Sequence, residues 1–376
     1  MRKKKILLIT GSFGNGHMKV TSNVVEELSN KNIDIVVHDL FLEAHPKLTK
    51  VAQAWYINSF TYFRNAYGTF YYNQPNKVDR CFYSKYGLKR LVHLIDKHQP
   101  DMILSTFPTP VLRHIKRFIK HDVKIHTIIT DYSFHKNWLI KNSDHYYVGS
   151  KVLKQELIKH GSNPKKISIT GIPVERKFSN HVNRFGFLKR NYLDPSKETI
   201  MIATGAFGVL KGFQRIISEM LEMKNIQIVV ICGNNVALKT KLENAFLGNS
   251  SVCVIGYTNQ MSEWMAVSDI LITKPGGITI TEALTRNIPM ILYHPAPGQE
   301  KENALLFEAN DLAMIANTKE ELLICIDSMI SNIFLRKRMI RKMKSFEKPR
   351  ATEYITKHIL ETLDVEYSAL RINSQV

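Results

Sequence analysis

The chain has 376 residues, of which 44% are hydrophobic, and it carries 52 Lys and Arg against 33 Asp and Glu, a formal net charge of +19. This length allows two domains, and the composition is that of an ordinary folded protein. The charge predicts a polyanionic partner, either an anionic membrane surface or a nucleic acid, unless it serves solubility alone.

No apolar run in the sequence approaches the roughly 18 residues of a membrane span. The basic start at residues 2–5 is followed by an apolar run that stops at Ile9, which is too short for a signal peptide. We therefore expect a cytoplasmic protein. The cysteines show no metal-ligand spacing and are expected to be free thiols. They are Cys81, Cys232, Cys253 and Cys325.

The first half of the chain predicts alternating strands and helices. Strands are predicted at residues 6–10, 33–38, 102–105, 125–130 and 145–148, and a helix at 19–30. These runs are rich in Ile and Val and alternate little with polar residues. Such runs are typical of strands that are buried on both faces of a parallel sheet.

The loop after the first predicted strand combines three glycines with His17. The glycines fall at positions 11, 14 and 16, so the loop is not a clean G-x-G-x-x-G fingerprint, although Asp39 stands at a plausible distance for dinucleotide binding. His17 lies where the next helix begins, and a helix N-terminus disfavours the charged imidazole. A neutral His can accept a proton, so His17 is a candidate general base. The alternative is that His17 only caps or packs.

Residues 50–90 mix aromatic with basic side chains. This mixture is typical of a headgroup interface, where rings lie at the boundary and cations meet anionic lipid. Core packing of the rings and binding of single-stranded nucleic acid are the alternatives. The predicted membrane contacts are Trp55, Tyr56, Phe60, Arg64 and Tyr67.

Asp131 directly follows the predicted strand at 125–130, in the same domain as His17. It is a second candidate for the base, or it orients His17. Asp is also a common helix N-cap, and capping of the next helix would not exclude the other roles. The sequence does not decide between His17 and Asp131 as the base.

The pattern restarts after a polar, basic stretch. Strands are predicted at 199–203, 226–232, 252–255, 269–273 and 289–293, and a last helix at 346–363. We therefore expect an α/β protein with two doubly wound, Rossmann-like domains at 1–175 and 198–345, joined by a linker at 176–197. A C-terminal helix and tail at 346–376 follow, and the sequence leaves their return to the first domain undecided.

Two adjacent strand-to-helix loops of the second domain are the most informative feature of the chain. The first has Gly276 and Gly277 before a helix that carries Glu282, and the second spans residues 297–303. Such loops meet at the carboxyl edge of a parallel sheet, where glycines let backbone N–H groups approach a phosphate. A carboxylate one turn further can take a ribose diol. The loops predict a nucleotide-sugar site and hence a glycosyltransferase; the alternative is that Glu282 is a first-turn residue that complements the helix dipole.

Five segments together resemble the GT-B glycosyltransferases of the MurG-like family. They are residues 9–17, 130–138, 204–208, 273–282 and 297–303. More narrowly, the whole chain resembles the processive diacylglycerol glucosyltransferases of Gram-positive bacteria, relatives of plant monogalactosyldiacylglycerol synthases. The resemblance implies two domains facing across a cleft, with the acceptor bound by the first and UDP-glucose by the second. It also implies an inverting transfer to diacylglycerol and then to glucosyl-diacylglycerol, giving the β-diglucosyl lipid that anchors lipoteichoic acid.

The resemblance also implies roles for individual residues. The Gly205 loop would approach the diphosphate, Gly256 and Tyr257 the uracil, and Glu282 the ribose. The full set implied for the donor is Gly205, Phe207, Gly256, Tyr257, Gly276, Gly277, Thr279, Glu282, Gln299, Glu300 and Asn303. The set implied for the acceptor loops is Gly14, Asn15, Gly16, His135 and Trp138. There is no Asp-x-Asp motif, and GT-B enzymes usually stabilise the leaving diphosphate without a metal, so no metal and no cofactor are expected.

The resemblance places the enzyme at the cytoplasmic face of the cell membrane, bound peripherally to anionic lipid, with no nucleic acid as partner. One alternative is a MurG-like transferase that uses UDP-N-acetylglucosamine and a lipid-linked acceptor. Another is a UDP-sugar-binding protein that regulates a partner. A nucleic-acid-binding protein would leave the two loops of the second domain unexplained.

Overall fold

The computed structural model describes residues 2–61, 68, 69, 71, 72, 85–204 and 213–365, with only the backbone of residues 56–61. The strands of the first sheet are β1 (Lys4–Thr10), β2 (Ile33–Asp39), β3 (Met102–Ser105), β4 (Lys124–Ile128), β5 (His145–Val148) and β6 (Ile167–Ile169). They are parallel and lie in the order β2-β1-β3-β4-β5-β6.

A second parallel sheet repeats this architecture. Its strands are β7 (Glu198–Ala203), β8 (Ile226–Ile231), β9 (Val252–Ile255), β10 (Ile270–Thr273), β11 (Met290–Tyr293) and β12 (Ala313–Ala316). They lie in the order β12-β11-β10-β7-β8-β9. In both sheets the order reverses beside the first strand of the domain, which is where α/β sheets form their binding crevices.

Helices alternate with the strands in both halves. Those of the first half are Asn15–Ser29, Leu40–Ala44, Pro46–Thr61, Leu88–His98 and Lys151–Lys159, with short 3₁₀ turns at Pro110–Arg113, Ile115–Arg117, Lys136–Trp138, Pro164–Lys166 and Arg176–Ser179. Those of the second half are Arg184–Arg190, Phe213–Met220, Val236–Ala245, Met261–Val267, Gly277–Arg286, Gln299–Ala309, Lys319–Ser331, Ile333–Phe346 and Ala351–Thr362.

The central strands are buried on both faces, as their sequences predicted, whereas the edge strands β2 and β9 are only partly buried, with Val37 of β2 41% exposed. Residues 6–9 of β1 and 270–272 of β10 are fully buried. Because neighbouring residues on a strand point to opposite faces, such a run means that other elements cover each face of the sheet. Each fully buried Ile or Leu side chain contributes about 1.5–3 kcal/mol relative to an exposed one.

The segment expected as a linker has structure of its own. It holds the turn Arg176–Ser179 and the helix Arg184–Arg190, which begins where Asn183 Oδ1 accepts from Gly186 N at 3.0 Å. Arg286 of the second domain donates to Lys177 O at 2.6 Å. The connection is therefore fastened to the second domain before β7 begins.

The helix predicted at 346–363 is divided in the structure. The helix Ile333–Phe346 ends where the predicted one begins, and the next starts at Ala351. Pro349 lies between them, and a residue that precedes Pro is pushed out of the helical conformation. The helix Ala351–Thr362 packs against Asn15–Ser29 of the first half, with Tyr147 Oη 2.8 Å from His358 Nδ1. The chain thus returns to the domain in which it began.

Across the described ranges, no helix combines the length and the apolar character that crossing a bilayer requires. Cys232, Cys253 and Cys325 are free thiols, and Cys81 lies outside the described residues.

Candidate active site

A cavity of about 400 Å³ lies between the two domains. Its lining from the first domain includes the predicted residues Gly14, Asn15, Gly16, His17 and Asp131. Its lining from the second domain includes the predicted residues Tyr257, Gly276, Gly277, Thr279, Glu282, Gln299 and Glu300. The fold therefore brings loops from both sheets together at one site.

His17 enters this cavity from the start of the helix Asn15–Ser29. Gly14 precedes the helix with φ 98°, a left-handed conformation that favours glycine. The Nδ1 atom of His17 lies 3.1 Å from Thr106 O and 2.7 Å from Thr130 Oγ1. A carbonyl oxygen only accepts, so Nδ1 carries the proton and Nε2 is left with the lone pair.

Burial holds His17 in its neutral form. Loss of hydration lowers the pKa of His17 from 6.5 to about 4, although the hydrogen bond to Thr106 opposes this shift. The prediction of a neutral imidazole is thus met, but the cause is burial rather than the helix dipole. At neutral pH, Nε2 is able to accept a proton.

Asp131 is buried and lies close to the second domain. Its Oδ1 accepts a hydrogen bond from Gln299 Nε2, and burial raises its pKa from 3.8 to about 7 despite that bond. Its predicted alternative role as a helix cap is wrong. The next helical turn is Lys136–Trp138, and it is His135 whose Nδ1 accepts from Asn137 N, at 3.3 Å.

Glu282 is nearly inaccessible, with 2% of its surface exposed. It is the sixth residue of the helix Gly277–Arg286, so it does not serve the first turn. Lys19 of the first domain reaches it, with Nζ 3.1 Å from Oε1. Burial raises the pKa of Glu282, and Lys19 opposes that rise.

The two glycines before Glu282 have different surroundings. A Cβ on Gly276 would meet no atom within 4 Å, so this backbone is open to a ligand. A Cβ on Gly277 would lie 2.7 Å from Asp131 Oδ1, so only glycine allows the first domain to come this close. The helix N-terminus at Gly277 thus faces both the cavity and the loop that carries Asp131.

Some predicted residues do not line the cavity, namely Gly256, His135, Trp138 and Asn303. The ring of Trp138, an expected acceptor contact, is 1% exposed and packs in a cluster with Ile129 and Tyr146. It lies behind His17, with ring centroids 6.2 Å apart. Gly205 and Phe207 lie outside the described residues.

Asp39 has a structural role instead of binding a dinucleotide. Its Oδ2 accepts from Ser12 N at 2.9 Å, and its Oδ1 caps the helix Leu40–Ala44 by accepting from Leu42 N at 3.0 Å. These bonds fix the loop that leads to His17.

The structure describes only part of the aromatic and basic segment at residues 50–90. Trp55 is 44% exposed on the helix Pro46–Thr61, where Leu48 and Val51 are also exposed, 55% and 66%. The other predicted membrane contacts, the side chains of Tyr56 and Phe60 and residues Arg64 and Tyr67, lie outside what the structure describes. The inner side of this helix reaches the site loop, because Gln53 Nε2 donates to Ser12 Oγ at 2.7 Å.

Several groups that complete the site were not predicted from the sequence. Lys19, Thr106 and Thr130 partner Glu282 and His17, but a lone Lys or Thr carries no chemical pattern. Lys19 follows His17 by two residues, which places it on another face of the helix, so its spacing does not indicate a shared site either. In the described part of the chain, no three His, Cys, Asp or Glu side chains are grouped so that they could hold a metal ion.

Two protein-family models match the chain, one in each domain. The model of monogalactosyldiacylglycerol (MGDG) synthase matches residues 17–174, and the model of the glycosyltransferase family 28 C-terminal domain matches residues 199–357. Among curated proteins, the processive diacylglycerol beta-glucosyltransferases of Staphylococcus aureus strains Newman and USA300 are each 47% identical to the chain. Each match covers 96% of this chain and 94% of the relative.

Solved structures share the fold at low sequence identity. The complex of Staphylococcus aureus MnaA with UDP has a TM-score of 0.64 at 15% identity, covering 96% of this chain and 97% of that one. Acinetobacter baumannii MurG has a TM-score of 0.62 at 13% identity, covering 96% and 100%. These likenesses confirm the predicted GT-B arrangement of two doubly wound domains.

Proposed function

The chain belongs to the family of glycosyltransferases that these two models describe, and we propose that it transfers glucose from UDP-glucose to diacylglycerol and then to glucosyl-diacylglycerol. The product is β-diglucosyl-diacylglycerol, the membrane glycolipid that anchors lipoteichoic acid. The observation that carries the proposal is the 47% identity to diacylglycerol glucosyltransferases over 96% of the chain. It is supported by a cavity in which loops of both matched domains meet.

We assign the proton transfer to His17. The acceptor hydroxyl oxygen forms a bond to the anomeric carbon of glucose, the bond from that carbon to the diphosphate breaks, and UDP leaves. Nε2 takes the hydroxyl proton, which stabilises the charge that develops on the oxygen. Attack from the side opposite the leaving group inverts the configuration and gives the β linkage. Asp131 is less suited to this step by geometry, because its Oδ1 already accepts a hydrogen bond from Gln299 of the second domain, whereas the hydrogen bonds of His17 use Nδ1 and leave the lone pair of Nε2 for the proton.

We assign donor binding to the second domain. The N-terminus of the helix Gly277–Arg286 and the open backbone of Gly276 suit the diphosphate, since backbone N–H groups and the helix dipole favour negative charge there. Lys274 also lines the cavity and adds a positive charge. Glu282 takes the ribose hydroxyls. This assignment requires no bound metal and no cofactor, so a chelator should leave the transfer rate unchanged.

We place the enzyme peripherally on the cytoplasmic face of the membrane, with anionic lipid rather than nucleic acid as its polyanionic partner. The exposed Leu48, Val51 and Trp55 recur at helical spacing, and Lys47 and Lys50 are exposed beside them. An apolar stripe flanked by lysines suits the headgroup boundary. Because Gln53 of the same helix contacts the loop before His17, an acceptor held at this surface lies near the proposed base.

The test is to incubate the purified protein with labelled UDP-glucose and with vesicles that contain diacylglycerol and anionic lipid, and to resolve the lipid products over time. Monoglucosylated and then diglucosylated diacylglycerol are expected. UDP-N-acetylglucosamine serves as the competing donor, since a MurG-like enzyme would prefer it. Binding of UDP-glucose without any lipid product would instead support a regulatory protein.

A further inference from the structure

Asn303 stands out among the predicted donor residues because it is fully buried. It lies on the helix Gln299–Ala309, is 0% exposed, and does not line the cavity. A buried amide needs hydrogen-bond partners for its oxygen and its nitrogen, since an unpaired polar group there would be costly. The partners of Asn303 therefore indicate its role.

These partners belong to both domains. Oδ1 of Asn303 accepts from two backbone groups of the first domain, Tyr132 N at 3.2 Å and Ser133 N at 3.0 Å. Nδ2 of Asn303 donates to Pro275 O at 3.1 Å. Pro275 directly precedes the two glycines of the proposed diphosphate site. One side chain thus joins the loop that carries Asp131 to the loop that opens the helix Gly277–Arg286.

Other contacts hold the same two loops together. Tyr132 Oη lies 3.0 Å from Thr281 Oγ1 of the second domain, and Gln299 donates to Asp131. Thr130, which contacts His17, precedes Asp131 in this loop. A shift of the loop would therefore move the surroundings of His17 relative to the bound donor.

We propose that Asn303 is a positioning residue that sets the distance between the acceptor side and the donor side of the site, and that it does not bind the sugar. This inference rests on the proposed function, because it concerns the geometry of that transfer. Reaction rates are sensitive to such geometry, and a misplacement of about 1 Å can cost about a hundredfold.

The test uses Asn303→Leu, which keeps the branching of the side chain at Cγ and removes the hydrogen bonds of the amide. We expect kcat to fall by roughly thirtyfold or more, while the dissociation constants of UDP and UDP-glucose each stay within about twofold. In the protein without substrate, hydrogen–deuterium exchange of the backbone amides of Tyr132 and Ser133 should become at least about tenfold faster, because their acceptor is gone.

Two further variants serve as controls. Asn310→Leu changes the Asn that caps the C-terminal end of the same helix, whose side chain donates to Leu306 O at 2.7 Å, and it should leave kcat and exchange at residues 132 and 133 unchanged. Asn303→Asp keeps an oxygen acceptor for both amides and removes the donor to Pro275 O, so it should keep the amides of Tyr132 and Ser133 protected from exchange. It also supplies the measurement if the Leu variant fails to fold.

Two results would overturn the proposal. One is weaker binding of UDP-glucose to Asn303→Leu with unchanged binding of UDP, which would make Asn303 a sugar contact. The other is unchanged amide exchange at residues 132 and 133. Because exchange is measured without substrate, failure of the wild-type protein to glucosylate lipid would count against the proposed function alone.

Discussion

In the proposed reaction His17 acts through one ring nitrogen, Nε2, which accepts the proton of the acceptor hydroxyl. We expect His17→Ala to lower kcat by roughly a hundredfold to ten-thousandfold, the usual range for loss of a general base. UDP affinity should change little, since the donor site lies in the other domain. Transfer assays and UDP titration by calorimetry measure the two effects. His93→Ala, at an exposed position of the same domain, is the control, and a large loss of UDP affinity in His17→Ala would contradict our placement of the donor.

The pH dependence of kcat separates His17 from Asp131 as the base. A base works only when deprotonated, so activity falls as the pH drops below its pKa. The pKa of His17 is about 4 and that of Asp131 is about 7. We therefore expect kcat to stay level from pH 8 to about pH 5.5. A decline of about tenfold for each pH unit below 7 would assign the role to Asp131.

Replacing Glu282 should weaken binding of the donor without slowing the chemical step. Glu282→Ala removes the carboxylate assigned to the ribose, and hydrogen bonds to charged groups contribute about 1.5–3 kcal/mol. We expect the dissociation constant of UDP to rise by about tenfold to a hundredfold. The exposed Glu222→Ala is a control in the same domain. Lys19→Met removes the ion pair with Glu282, in which Lys19 Nζ lies 3.1 Å from Oε1, and it tests whether loss of that pair alone weakens UDP binding. Unchanged UDP affinity in Glu282→Ala would exclude the ribose role.

The sequence predicted single residues better than their partners. His17, Asp131 and Glu282 each follow a strand end or a glycine turn, so local patterns were enough to find them. Lys19 meets Glu282 only because the two domains close on each other, and no local pattern records that contact. Trp138 shows the converse, since its place in a matching segment does not reveal that its ring is buried behind His17.

At the scale of elements, a histidine cluster joins the C-terminal helix to the first sheet. His145 and His358 have ring centroids 4.3 Å apart, and His126 Nδ1 lies 2.9 Å from Tyr147 Oη. Burial and the neighbouring imidazoles lower the pKa of His126 to about 3 and that of His145 to about 4. The same burial lowers the pKa of His358.

This cluster predicts a loss of stability in mild acid. With lowered pKa values in the fold, the unfolded chain takes up more protons as the pH drops from about 6.5 towards 4, so the free energy of unfolding falls in that window. The Gln side chain of His126→Gln takes up no proton. Between pH 7.5 and pH 5, the free energy of unfolding of this variant should therefore fall by roughly 2 kcal/mol less than that of the wild type. Urea unfolding at both pH values measures this. His93→Gln should behave as wild type, and an equal loss in His126→Gln would contradict the prediction.

Strands were predictable where β-branched, large aliphatic or aromatic residues formed a run. The strands at 102–105, 145–148 and 252–255 agree in both bounds with β3, β5 and β9. The edge strands β6 and β12 were missed, because Ile167–Ile169 has only three residues and Ala313–Ala316 includes two alanines, which favour strands weakly. The last helix was predicted as one element because apolar residues recur at helical spacing on both sides of Pro349. In the structure the helix is divided at this proline.

For the whole molecule, the net charge of +19 and the apolar stripe of the helix Pro46–Thr61 predict binding to anionic vesicles. Replacing Leu48, Val51 and Trp55 together by Ser should lower the partition coefficient at least about tenfold, because their exposed side chains would otherwise bury apolar area in the headgroup region. Vesicle sedimentation measures it, and added salt should weaken the remaining charge-driven binding. Leu247→Ser, at an 88% exposed position of the second domain, is the control. Equal binding of the triple variant and the control would place the membrane surface elsewhere on the molecule.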